Sequence, residues 1–181
     1  MPAHSTGSIL GAHMNRKGLI MIRLAKILLV VFVGLNGLIY FGANIANWEA
    51  ARGAVGAVIA MGDRPFYPIA LVPALTGSAA ASIGLIIILA GEFLVGALSL
   101  KGALDMLAKS GASAAEFNAS KTYAVLGCAM ALIVWFGGFT VIGGAAFQMW
   151  QHDLGRLSLT DAHTFFTGSG LVLLFVAMKD E

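Results

Sequence analysis

An all-α integral membrane fold, a four-helix bundle with a short interfacial helix between its first and second spans, is what this sequence predicts, on three observations. The residues are 59% hydrophobic and 11% charged, with a mean hydropathy of +0.87, where soluble domains carry about a quarter charged residues. Four apolar runs reach the roughly 20 residues that a helix needs to cross a bilayer. A shorter segment with one polar and one apolar side separates the first two. The 181 residues suffice for several spans with short loops but not for two sizeable domains. The expected organisation is therefore a tail over 1–21 and a single membrane domain over 22–181.

The first span is expected over 24–44. Its apolar stretch exceeds the h-region of a signal peptide, so it reads as a retained helix. Asn47 can cap the next helix, Glu49 suits its first turn and Gly62 can end it. Val55, Val58, Ile59 and Met61 occupy one side of that helix while Glu49 and Arg52 reach water, the pattern of a helix lying at a membrane surface. Pro65, Pro68 and Pro73 then prevent a regular helix and mark a loop. The second span is expected over 77–100, the third over 122–147 and the fourth, the shortest, over 162–178.

Basic residues orient the bundle. Arg16, Lys17, Arg23, Lys26, Lys101, Lys109, Lys121 and Lys179 fall on one side of this topology, and Arg52, Arg64 and Arg156 on the other. The positive-inside rule places both termini in the cytoplasm. If translation starts at Met14 or Met21, the residues before it are a tail with no structural role, and His4 and His13 carry no meaning. Small residues predict where helices approach: Gly77, Ala81, Gly84 and Gly91 in the second span, Gly127, Ala131 and Gly138 in the third, and Thr164, Gly168 and Gly170 in the fourth.

Glu92 is the one carboxylate deep inside an apolar span. An acid at that depth costs several kcal/mol unless it is protonated, paired or hydrated, which makes it a candidate functional residue. With a rise of about 1.5 Å per residue, Glu92 lies roughly 12 Å above Leu100, Ser169 roughly 13 Å above Met178 and Asn36 roughly 18 Å above Leu24. The three are expected to share one layer, with Asn36 or a backbone carbonyl as the partner of Glu92. Gly96 and Ser99 on the same face suggest water approach from the cytoplasmic side. Glu92 either donates a structural hydrogen bond or exchanges a proton or binds a cationic group.

A second group lies at the outer end of the third span. Gly143 and Gly144 allow a bend or a close approach, Phe147 and Trp150 suit an aromatic belt, and Gln148, Gln151 and His152 face headgroups or water. Together with Met149 they form an expected outer-interface or docking surface, or a quinone-like headgroup site with Gln151 and His152 as donors.

Chemistry is otherwise sparse. Cys128 is the single cysteine, so neither a disulfide nor a cysteine metal site is available. His152, Asp153, Asp161 and His163 resemble a metal set in composition, but their spacing fits no ligand pattern and they read as solvated loop residues. No nucleophile elbow, paired cysteine or phosphate loop occurs, so no catalytic, metal or cofactor site is expected. The net charge of +2 is too small to argue for nucleic acid.

The run from Trp135 to Gln151, especially Gly138-Phe139, Ile142-Gly143-Gly144, Phe147 and Met149-Trp150-Gln151, resembles the signature of a bacterial family of predicted small integral membrane proteins, a domain of unknown function. The resemblance extends through Met21–Lys26, Glu92 and Phe117–Lys121. It implies a four-helix inner-membrane protein. Ala145 and Ala146 stand where the family usually has an acidic and aromatic pair, and Gly91 where a Trp commonly precedes the Glu. The expected function is that of an accessory or assembly subunit of a larger membrane complex, such as a respiratory one. Its partners are then the lipid bilayer and a membrane protein or a second copy. The alternative is a small proton-coupled transporter or carrier using Glu92.

Overall fold

The computed structural model describes residues 16–62 and 64–181; the tail residues 1–15 and Asp63 lie outside the described residues. The elements are α1 (Arg16–Ala46), α2 (Trp48–Ala60), α3 (Ser78–Ala108), α4 (Ala114–Ala119), α5 (Thr122–Leu132) and α6 (Asp153–Ala177). A wider, π-helical stretch over Ile133–Ala146 continues α5 without a break, and one 3₁₀ turn at Met149–Gln151 leads into α6. Four helices are long and apolar enough to cross a membrane: Arg16–Ala46, Ser78–Ala108, Ala114–Ala146 and Asp153–Ala177. No strand occurs among the described residues.

Each apolar run sits inside a longer helix. α1 begins at Arg16, within the expected tail, and α3 continues past Lys101, which pairs with Asp105 one turn on at 2.7 Å. The largest departure is α6, which starts at Asp153 rather than near residue 162. Asp153, Asp161 and His163 are therefore helical and not loop residues. Asp153 occupies the first turn, where the helix dipole favours an anion, and it pairs with Arg156. Ser158, Thr160 and Thr164 return their hydroxyls to carbonyls four residues back, which satisfies their polar groups within the helix itself. The short helix between the first two spans forms as expected, but its ends differ. Asn47 turns its amide to the Ala43 carbonyl at 2.8 Å instead of capping α2. The left-handed C-terminal position falls on the buried Met61 (φ 47°), not on Gly62.

Glycines set the helix spacing. α1 and α3 run antiparallel: a Cβ on Gly34 would meet Ser99 and Leu100, and one on Gly37 would lie 2.7 Å from the Glu92 carbonyl. Gly102 rests on the backbone of Tyr123 and Ala124, and Gly127 on Ser99, so α3 and α5 meet backbone to backbone. Gly84 receives Val55 of α2 and Gly91 receives Val134. Of the expected small-residue faces, Gly84, Gly91 and Gly127 lie at close approaches, while Gly77 and Gly138 have no neighbour closer than 4 Å. The fourth behaves differently, because Gly168 and Gly170 have open space where a Cβ would be.

At the end of the bundle where α1 begins and α6 finishes, three cations surround one carboxylate. Lys26 and Lys121 both donate to Asp180 and to the Met178 carbonyl, and Asn118 exchanges hydrogen bonds with the Asp180 backbone. Arg23 lies over the Phe117 ring at 4.5 Å and donates to the Ser110 and Ala112 carbonyls. All four charged residues are buried. Burial alone would raise the Asp180 carboxyl, but the hydrogen bonds from Lys121 and Lys26 and their charge outweigh it and hold it below the usual carboxylate range. Sequence reading used these cations only as markers of topology.

Candidate functional site

Glu92 is 1% exposed, on the face of α3 that meets α1. Its two carboxylate oxygens accept hydrogen bonds of 3.0 and 3.1 Å from the Asn44 amide nitrogen. Asn44, not Asn36, is the partner. The depth estimate was sound for the backbone, since Gly37 lies against the Glu92 carbonyl. It failed for the side chains. Helical side chains lean toward the N-terminus of their own helix; in antiparallel helices Glu92 therefore leans toward the α1 C-terminus while Asn44 leans back toward it. Asn36 is half-buried, and its side chain makes no hydrogen bond among the described residues. Ser169 is buried on α6 and makes no hydrogen bond to Glu92. Ser99 is fully buried against Gly127, and Leu38 covers Gly96, so the face below Glu92 is packed rather than open to water.

The open side lies the other way. A cavity of about 410 Å³ is bounded by the end of α1, by α2, α3, the π-helical stretch and the first turns of α6. Glu92 and Asn44 form part of its wall, and Tyr40, Ser158 and Asp161 supply its other polar side chains. The remainder is apolar, including Val55, Ile88, Phe139 and Ile142. One wall is aromatic: the Phe165 ring packs against Tyr40 at 4.9 Å and against Trp135 at 5.2 Å between centroids. Tyr40 lies within electrostatic reach of both Glu92 and Asp161. Among the described residues, neither acid makes an ion pair.

The π-helical stretch lends this cavity part of its wall. Thr140 donates to the Trp135 carbonyl and the Phe147 N–H to that of Ile142, both five residues back. Gly137, Gly138, Gly143 and Gly144 bring no side chain to resist the wider turn. Such stretches are uncommon and cluster at functional sites.

The expected outer docking set divides in two. Gly143, Phe147 and Met149 line the cavity, and Gly143 and Gly144 are closed over by Met149 and Leu159. Gln148 and Gln151 instead hold the chain's own loop. The Gln151 carbonyl oxygen accepts from the Phe66 and Tyr67 N–H groups at 3.0 and 2.8 Å, its amide donates to Tyr67 and Gln148, and Gln148 donates to the Ile69 carbonyl at 2.9 Å. Trp150 stacks on Phe66 and meets the edge of Tyr67. His152 sits before α6 with its N–H on the Met149 carbonyl. The loop takes up the hydrogen-bonding groups of both glutamines, and neither Gln151 nor His152 lines the cavity. Asp161 was placed among loop residues by the sequence, and its position in the cavity wall was missed because α6 starts earlier than its apolar run. No group of three or more metal-ligating side chains forms among the described residues.

A family model described as "Predicted small integral membrane protein (DUF2165)" matches residues 22–179. No curated protein and no solved structure matches the chain.

Proposed function

The chain belongs to this family of small integral membrane proteins, and on that premise we propose that it is a proton-coupled carrier that binds a small, mainly apolar molecule beside Glu92. One observation carries the reading: a 1%-exposed carboxylate borders a cavity of about 410 Å³, with a neutral amide as its partner and, among the described residues, no cation paired with it. A purely structural acid is ordinarily enclosed by its partners, whereas this one borders space of the size that small ligands occupy. Glu92 holds a proton when the cavity is empty of charge and gives it up when a ligand engages the carboxylate. The test is purification in mild detergent beside Glu92→Gln, followed by native mass spectrometry. A small molecule retained by the wild type and lost from Glu92→Gln is expected; the same molecule on both refutes a role for the carboxylate.

The accessory-subunit reading keeps one specific support. α6 is the least covered membrane helix, with 17% of its apolar window buried against 33% for α1 and α3. Its exposed Thr164 and Gly168 leave room for another helix of the kind small residues admit. Stoichiometric protein partners in the same spectra, with no small molecule, replace the carrier reading by this one.

A further inference from the structure

We propose that the cavity is a site for an apolar monocation, an amine, quaternary ammonium or phosphonium on an aromatic or alkyl body, held between Glu92 and Asp161. The inference rests on the carrier reading and names its substrate class.

Charge decides the class. The ionisable side chains among the described lining residues are Tyr40 from α1, Glu92 from α3 and Asp161 from α6; α2 and the π-helical stretch contribute none. The site can therefore be neutral or negative but never positive. The nearby arginines do not change this, since Arg52 is paired with Glu49 and Arg156 with Asp153. An anionic ligand would meet like charge in a low-dielectric space. A neutral ligand would leave Glu92 protonated and draw nothing from its charge, whereas a cation turns the buried carboxylate into a partner. A single positive charge matches Glu92, the buried carboxylate of the cavity wall, while Asp161, exposed on α6, meets the cation from the mouth side.

Geometry agrees with charge. Asn44 fills one acceptor position on each Glu92 oxygen, and a carboxylate offers about four, so acceptors remain for a ligand. The Tyr40, Phe165 and Trp135 rings form the adjoining wall, and aromatic faces attract cations most where water is excluded. The remaining apolar lining suits a hydrocarbon body and rejects a small hydrated ion. Binding exchanges one charge for another: the cation enters, the Glu92 O–H bond breaks and its proton passes to water.

The test uses the full chain in nanodiscs of phosphatidylcholine, with radiolabelled tetraphenylphosphonium as the probe. Tetraphenylborate has nearly the same shape and the opposite charge, and decylubiquinone supplies a neutral competitor. Saturable phosphonium binding is expected, displaced by neither borate nor quinone, weakened about tenfold or more by Glu92→Gln and several-fold by Asp161→Asn. Because Asp161 is exposed, its variant reports even if Glu92→Gln does not fold. Glu92-dependent binding of the quinone or borate in preference to the phosphonium overturns the cation assignment and leaves the carrier reading standing. Failure of the wild type to bind any of the three overturns the assignment, and if native mass spectrometry also finds no retained molecule, the carrier reading falls with it. Phosphonium binding unchanged in Asp161→Asn overturns the two-acid site.

Discussion

At Glu92 the decisive fact is which way a side chain leans. A buried carboxylate in an apolar span was legible from the sequence, as was its depth, because both follow from residue type and helical rise. Its partner was not, because Asn36 and Asn44 differ only in how their side chains tilt along two antiparallel helices. Asn44→Ala is predicted to cost about 1–3 kcal/mol, read by thermal unfolding in detergent, while Asn36→Ala is predicted to cost little. Asp180 behaves differently, being a fixed member of a charge cluster. Its carboxyl is held below the usual range, so its contribution is fully present above the ordinary carboxylate pKa and is lost as pH falls through the lowered one. Asp180→Ala is predicted to destabilise by about 3 kcal/mol or more, since it leaves buried cations uncompensated. Comparison of unfolding at neutral and acid pH should show the wild type approaching the variant on acidification.

Helices are where pattern reading succeeded most and erred most instructively. Apolar runs located every span. Among the small residues read as contact faces, Gly127 marks where α3 and α5 meet, whereas Gly84 receives α2, and Gly102 on the α3 side was not among them. Gly127 and Gly102 make that contact backbone to backbone, so Gly127→Val should separate α3 from α5 and cost at least about 1–3 kcal/mol. Gly168→Ala on the open face of α6 should leave stability unchanged in the isolated protein. The end of the third span was read as an aromatic belt and docking surface from its composition. Composition does not reveal that Gln148 and Gln151 secure an extended loop 79–85 residues away in sequence. Gln151→Ala is predicted to release residues 64–71, seen as faster hydrogen exchange and proteolysis there, with about 1–3 kcal/mol lost from the buried donors and acceptors it leaves. α6 began early because a few polar residues with i−4 hydroxyl bonds continue a helix that hydropathy alone ends.

For the whole molecule, four antiparallel helices of membrane length are locked by charge at one end and loosened at the other, where α2, the π-helical stretch and the first turns of α6 stand around the cavity. That division is the physical basis of the proposed activity: the packed end holds the helices in register, and the looser end holds a carboxylate beside apolar space. Architecture was legible because hydropathy dictates it; the cavity was not, because it depends on where five segments fail to meet. The most direct measurement is the number of protons released into weakly buffered medium as tetraphenylphosphonium saturates the protein in nanodiscs. About one proton per cation bound, absent in Glu92→Gln, is the predicted result. Saturation with no proton released, and with equal affinity in Glu92→Gln, would contradict the central claim that Glu92 exchanges its proton for a ligand.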